Sequence, residues 1–197
     1  MKQKLLTGAM LLIVVSMAFS QTATNWTTNY CSGNSVTLFN ELDNGKVVVI
    51  AWTMPCVSCI TDPVDAYTTV QGYNSSHPGV IKYFLVDDYA NTPCNTIVSW
   101  GNNYGLTNTT KFSDSKIKMS DYGQDGMPKI VILAGSNHQV FFNKNSSTAG
   151  FKTALDQALS AATSILDNGT IDLNISTYPN PVAGEVKIDF SLNAPSK

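Results

Sequence analysis

Apolar residues in this chain fall into runs whose period changes from one segment to the next. Lys46-Val47-Val48-Val49-Ile50-Ala51-Trp52 is almost wholly apolar, which predicts a strand covered on both faces, the parallel-sheet type. Ile60, Val64 and Tyr67 then recur at helical spacing. Val80 to Val86 predicts a second strand, closed by Asp87-Asp88, which reads as a solvated strand end. Ile97, Val98, Gly101 and Tyr104 suit a helix packed closely on a sheet. Lys129 to Leu133 and Gln139 to Phe142 flank Gly135-Ser136-Asn137-His138, a hairpin signal. Phe151, Ala154, Leu155, Ala158, Leu159 and Ala162 repeat with helical spacing and mark the clearest amphipathic helix. Strand, helix, strand, helix, hairpin, helix is the order of an α/β fold: a central mixed β-sheet flanked by helices, parallel at its centre and antiparallel at one edge.

The two ends differ from this middle. Residues 1–20 read as a signal peptide: Lys2 and Lys4 lead a mostly apolar run from Leu5 to Phe19, and Ala18-Phe19-Ser20 supplies small residues at the positions a peptidase reads. The apolar run is shorter than the roughly 20 residues a membrane span needs, and nothing later resembles a span. Residues 21–35 are polar and turn-rich, a loose lead-in. Residues 36–166 form the domain, and residues 167–197 a linker with a short β extension.

Composition removes some partners. All 12 basic residues are Lys, charged residues make up 13% of the chain and the net charge is -2. Without Arg there is no bidentate clamp, and with no basic patch, nucleic acid is not an expected partner.

The four cysteines carry the chemistry. Cys56-Val57-Ser58-Cys59 follows the first central strand and opens the first helix. There, unpaired amides and the helix dipole stabilise a thiolate. Cys56 is placed at the tip, where a partner reaches it, and Cys59 one turn in, close enough to attack a mixed disulfide. A zinc site would have to recruit Cys31, Cys94, His77 or His138, and a second C-x-x-C is absent. A purely structural Cys56–Cys59 bridge is a further alternative. A copper(I) site would join Met54 and His138 to the two thiols. Cys31 and Cys94 form a candidate structural disulfide, since an even set of cysteines in an exported chain suggests pairing. Two free thiols, or Cys94 as a relay at a helix start, remain open.

On these residues the chain resembles the thioredoxin-like superfamily, and most its secreted thiol–disulfide oxidoreductase branch. Gly45 to Trp52 matches that family's strand before the active loop, Thr53 to Cys59 its redox loop, and Gly126-Met127-Pro128-Lys129 the segment bearing its cis-proline. The resemblance implies Cys56 as nucleophile, Cys59 as resolving thiol, a cis Met127–Pro128 bond facing them, and a Met127 backbone that pairs with the substrate. Trp52 and Pro55 would shape the rim. It implies no organic cofactor and no resident metal. Its partners would be protein or small-molecule thiols and disulfides, plus a redox partner. The family's frequent buried acid is replaced here by Ile50, and Val57-Ser58 between the cysteines leaves the direction of electron flow unread.

The tail points to an address. Tyr178-Pro179-Asn180-Pro181, followed by the alternating Glu185 to Leu192, resembles the start of a type IX secretion type A sorting domain, which an outer-membrane translocon reads. The expected location is periplasmic, cell-surface or secreted. The expected function is an exported thiol–disulfide oxidoreductase. The alternative is a non-enzymatic module of the same fold, a copper(I) carrier or a secreted binding domain.

Overall fold

The computed structural model describes residues 21–166 and two later strands at 174–178 and 187–191. The signal peptide of residues 1–20, and most of the linker and sorting motif, lie outside the described residues. In chain order the elements are β1 (Thr27–Asn29), β2 (Ser35–Thr37), α1 (Leu38–Asp43), β3 (Val47–Thr53), α2 (Thr61–Gln71), β4 (Ile81–Asp87), α3 (Cys94–Asn103), β5 (Thr110–Phe112), β6 (Lys129–Ala134), β7 (Gln139–Asn145), α4 (Phe151–Leu166), β8 (Asn174–Tyr178) and β9 (Lys187–Ser191).

Five strands form one sheet in the order β5-β4-β3-β6-β7. β3 and β4 run parallel, β4 and β5 run parallel, and β6 and β7 are antiparallel to their neighbours. The sheet is therefore mixed, with its parallel part at β3–β4–β5. Every residue of β3 is buried, as its unbroken apolar run requires of a strand covered on both faces. The connections β3–α2–β4 and β4–α3–β5 step in the same direction, so right-handed crossovers put both helices on one face. That face buries Val47, Val49 and Ala51 with Tyr67 and Val70 of α2 and Phe151, Leu155 and Leu159 of α4. All six apolar positions of the α4 repeat are buried. α3 lies so close that a Cβ on Gly101 would stand 2.9 Å from Leu85 Cδ2 and 2.9 Å from Lys111 Cε.

The opposite face buries Val48, Ile50 and Trp52 with Leu38 and Leu42 of α1 and with Trp26 from the amino-terminal segment. This corrects the loose lead-in. Trp26 packs on Phe84 and Phe112, with ring centroids 6.0 and 5.7 Å apart. β1 pairs with β2, and Thr22 bridges Gln139. Residues 21–35 thus cover a sheet face that no helix pattern in the sequence accounted for. Three-residue strands are too short to show a period, which is why β1, β2 and β5 escaped the pattern. In the tail, β8 and β9 pair antiparallel, Asn174 opposite Ser191 and Tyr178 opposite Lys187. Among the described residues no helix is long and apolar enough to cross a membrane.

Candidate redox site

β3 ends at Thr53, at the carboxyl edge of the parallel strands, where open α/β sheets collect their functional loops. Met54 and Pro55 lead out of the strand to Cys56, whose backbone is extended (φ -132°, ψ 152°). Its amide donates to Met54 O at 2.7 Å. Val57–Cys59 forms a single 3-10 turn, and α2 begins only at Thr61. The cysteines therefore precede the α-helix on a tighter turn, rather than occupying its first turn as the spacing predicted. The Thr53 hydroxyl donates to Cys59 O at 3.2 Å and so fixes the second cysteine to the end of the strand.

Cys56 and Cys59 are joined as a disulfide, with Cα atoms 5.4 Å apart. Both are half-buried, while Val57 between them is 78% exposed. Ser58 Oγ lies 3.4 Å from Cys56 Sγ, a position from which its hydroxyl can donate to a thiolate once the bridge is reduced. Cys31 and Cys94 form a second disulfide that links the β1–β2 turn to the first residue of α3, across 63 positions of sequence.

Met127–Pro128 is a cis peptide bond. Lys129, the next residue, pairs with Trp52, so the register continued one step sets Pro128 beside Thr53, at the root of the cysteine loop. Several bonds hold this proline segment. Lys129, buried, donates from Nζ to Gln124 O at 3.1 Å and to Asn145 Oδ1 at 3.0 Å. Burial lowers the pKa of that ammonium, and Asp125 partly opposes the shift. The Gly126 amide donates to Met119 Sδ at 3.2 Å, and a Cβ on Gly126 would stand 2.6 Å from Asn145 Nδ2. The Ser146 amide donates to Pro128 O at 2.7 Å and its hydroxyl to Met127 O at 3.1 Å. The Met127 carbonyl is thus already bonded within the chain. Sequence reasoning did not find Lys129 or Ser146, because their role comes from the β6–β7 pairing and not from a local motif.

Three expectations need correction. Trp52 does not shape a rim: it is 0% exposed, its Nε1 donates to Ile117 O at 3.1 Å, and its ring packs on Tyr122 with centroids 5.4 Å apart. Pro55 is half-buried and borders a surface hollow with Asn95, Thr96 and Trp100 of α3. Asp87 and Asp88 are not a solvated strand end: both are buried. Asp87 Oδ2 accepts the Asn91 and Thr92 amides at 2.8 and 2.9 Å, capping the turn after β4. The copper set fails on geometry. His138 sits in the β6–β7 turn, beyond Leu133, which pairs with Val48 near the start of β3. That is the far end of the sheet from Cys56, roughly 20 Å along a seven-residue strand. There His138 is stacked on Phe39 at 3.6 Å and bonded to Asp43 at 2.7 Å. Among the described residues no cluster of three His, Cys, Asp or Glu could hold a metal ion.

No protein-family model matches the chain, and no curated protein matches it at a significant level. Solved structures do. A Bacteroides thetaiotaomicron protein, provisionally assigned as a protein disulfide isomerase, is 14% identical with a TM-score of 0.59, over 74% of this chain and 92% of its own. The thioredoxin domain of a Bacteroides vulgatus thiol-disulfide oxidoreductase is 16% identical with a TM-score of 0.55, over 73% and 99%. A thioredoxin-family thiol:disulfide interchange protein from Chlorobium tepidum is 12% identical with a TM-score of 0.55, over 72% and 98%. Likeness at this level of identity establishes architecture: the chain has the thioredoxin-like α/β fold, a mixed five-stranded sheet flanked by helices.

Proposed function

We propose that this protein is an exported thiol–disulfide oxidoreductase whose redox centre is Cys56 and Cys59. The observation that carries this reading is the half-exposed Cys56–Cys59 disulfide, placed where β3 ends and beside the segment of Pro128. In the reducing direction the Cys56 thiolate attacks one sulfur of a substrate disulfide. A mixed disulfide forms and one substrate thiolate leaves. The Cys59 thiolate then attacks Cys56 Sγ, the second substrate thiolate leaves, and the intramolecular bridge is restored. Two electrons pass to the substrate, and an external dithiol returns them. In the oxidising direction the same steps run backwards. Pro55 and the Pro128 segment flank the approach, and the Met127 backbone meets the substrate strand in competition with the Ser146 hydroxyl.

Export is supported by the pattern of residues 1–20 and by the Cys31–Cys94 bridge, a structural disulfide of the kind that persists in oxidising compartments. The Tyr178-Pro179-Asn180-Pro181 motif supports delivery through an outer-membrane translocon, with the paired β8 and β9 as part of the signal.

The test is disulfide exchange by the full chain. With dithiothreitol as electron source it should accelerate insulin reduction, and Cys56→Ser should remove the acceleration. A wild-type rate equal to the uncatalysed rate, in both the reducing and the oxidising assay, would leave a non-enzymatic binding module as the better reading.

A further inference from the structure

A cavity of about 200 Å3 lies at the same end of the sheet as the cysteine loop, and the exchange chemistry above does not use it. Its walls come from the turn after β4, with Asp88 and Tyr89, and from the crossover between β5 and β6, with Asp114, Ile117, Met119 and Asp125. Both walls are tied to the redox site. The Asp88 amide donates to Thr53 O at 3.0 Å, one residue before Met54. Met119 Sδ accepts the amide of Gly126, one residue before Met127.

Three carboxylates line the cavity, and they are not equivalent. Asp114 is satisfied: the Thr28 hydroxyl donates to one oxygen and the Lys116 amide to the other at 2.9 Å. Burial pushes the Asp114 carboxyl up, but these bonds and the Lys116 ammonium outweigh it and hold it below the usual carboxylate range. Asp88 is only 9% exposed, and its Oδ2 has no hydrogen-bond partner. A buried carboxylate oxygen without a donor is costly unless a ligand supplies one. Asp125 is exposed at the mouth. The lining contains one cation, the exposed Lys118, which also borders the neighbouring hollow beside Lys116.

We propose that this cavity is a substrate subsite for a lysine or arginine side chain of the polypeptide whose disulfide is exchanged. The proposal rests on the redox reading of Cys56 and Cys59. The chemistry matches at both ends of such a side chain. Its N–H groups offer a donor to the Asp88 carboxylate, and its methylene stem lies against Ile117, Met119 and the ring of Tyr89, which is 68% exposed. Lys116 stands beside Asp114 and Lys129 beside Asp125, so the charge that draws a basic substrate in and selects against an acidic one centres on Asp88, with Asp87 behind it.

The test uses the full chain and disulfide-bonded model peptides, in which one lysine is moved through successive positions around the cysteine, with norleucine as its uncharged control. At the favoured position the lysine peptide should be exchanged with about tenfold higher kcat/KM than its control, an advantage that falls as salt is raised. Asp88→Asn should shrink that ratio toward one. Asp125→Asn, a surface change, should shrink it too and keeps the test decisive if the buried variant misfolds. Equal rates for lysine and norleucine at every position, or a ratio that survives both substitutions, would overturn the subsite and leave the redox reading standing. If neither peptide is exchanged at all, the redox reading falls and the subsite falls with it.

Discussion

Replacing both Cys31 and Cys94 by Ser removes the longer of the two bridges and separates stability from chemistry. The bridge spans 63 positions, and closing a loop of that length lowers the entropy of the unfolded chain by an amount worth about 4 kcal/mol at 25 °C. Little is lost on the folded side. The Cys31 amide keeps its bond to Lys111 O at 2.8 Å, and Trp26 keeps its contacts with Phe84 and Phe112. For a domain of this size about 1 kcal/mol moves Tm by about 3 °C, so the double variant should melt about 12 °C below wild type. The Cys56–Cys59 bridge spans only three positions, and the same relation gives about 1.5 kcal/mol, or about 5 °C. Far-UV circular dichroism melts without reductant, run beside an insulin-reduction assay, distinguish the two bridges. Cys31→Ser/Cys94→Ser should lose the larger share of Tm and retain exchange. Cys56→Ser/Cys59→Ser should lose exchange and only about 5 °C of Tm. A Cys31→Ser/Cys94→Ser protein melting within about 3 °C of wild type would refute the loop-closure reasoning.

Further outcomes follow from individual contacts. Gly101→Ala should destabilise by about 1–2 kcal/mol in urea titration, because overpacking against buried Leu85 and Lys111 exceeds the gain of about 1 kcal/mol in helix propensity. Lys129→Met should cost about 1–3 kcal/mol, since Gln124 O and Asn145 Oδ1 lose a buried donor, and should slow exchange by loosening the proline segment. The Asp88 carboxyl is raised by burial, and further by Asp87, against backbone amide bonds that lower it. A raised carboxyl pKa contributes stability that is present below the unfolded value and lost as pH rises through the folded one. Asp88→Asn should therefore raise Tm near neutral pH, and the gain should vanish in acid below the ordinary carboxylate range; a gain that is the same in acid would contradict the assignment.

The central strands, the hairpin and α4 were legible because each buries a long run with a clean period, and tertiary packing agrees with local pattern there. The covering of the second sheet face was not legible. Trp26 and Tyr30 are two aromatics in an otherwise polar stretch, and the burial of Trp26 depends on Phe84 and Phe112, far along the chain. Asp87 and Asp88 read as solvent-facing because charges end strands at surfaces, yet the turn amides of Asn91 and Thr92 and the overlying crossover of residues 113–128 enclose them. Lys111 and Lys129 are buried because each ammonium folds back onto a carbonyl five residues earlier, Leu106 O and Gln124 O, a local return that a lysine in a strand pattern does not announce. The cysteine pair was legible from spacing and position. Its setting on a 3-10 turn ahead of α2, and the Ser146 bond to Met127, emerge only from the folded geometry.

The nucleophilic role of Cys56 is the claim on which the rest depends. The direct measurement is the rate of iodoacetamide labelling of each thiol in the reduced protein near neutral pH, read peptide by peptide by mass spectrometry. Cys56 stands before the exposed Val57, and the Ser58 hydroxyl lies 3.4 Å from its sulfur; Cys59 is drawn back to β3 by the Thr53 hydroxyl. Cys56 should label at least about tenfold faster than Cys59, and Cys59→Ser should accumulate mixed disulfides at Cys56. Equal and slow labelling of the two thiols, with no mixed disulfide trapped in Cys59→Ser, would contradict the account.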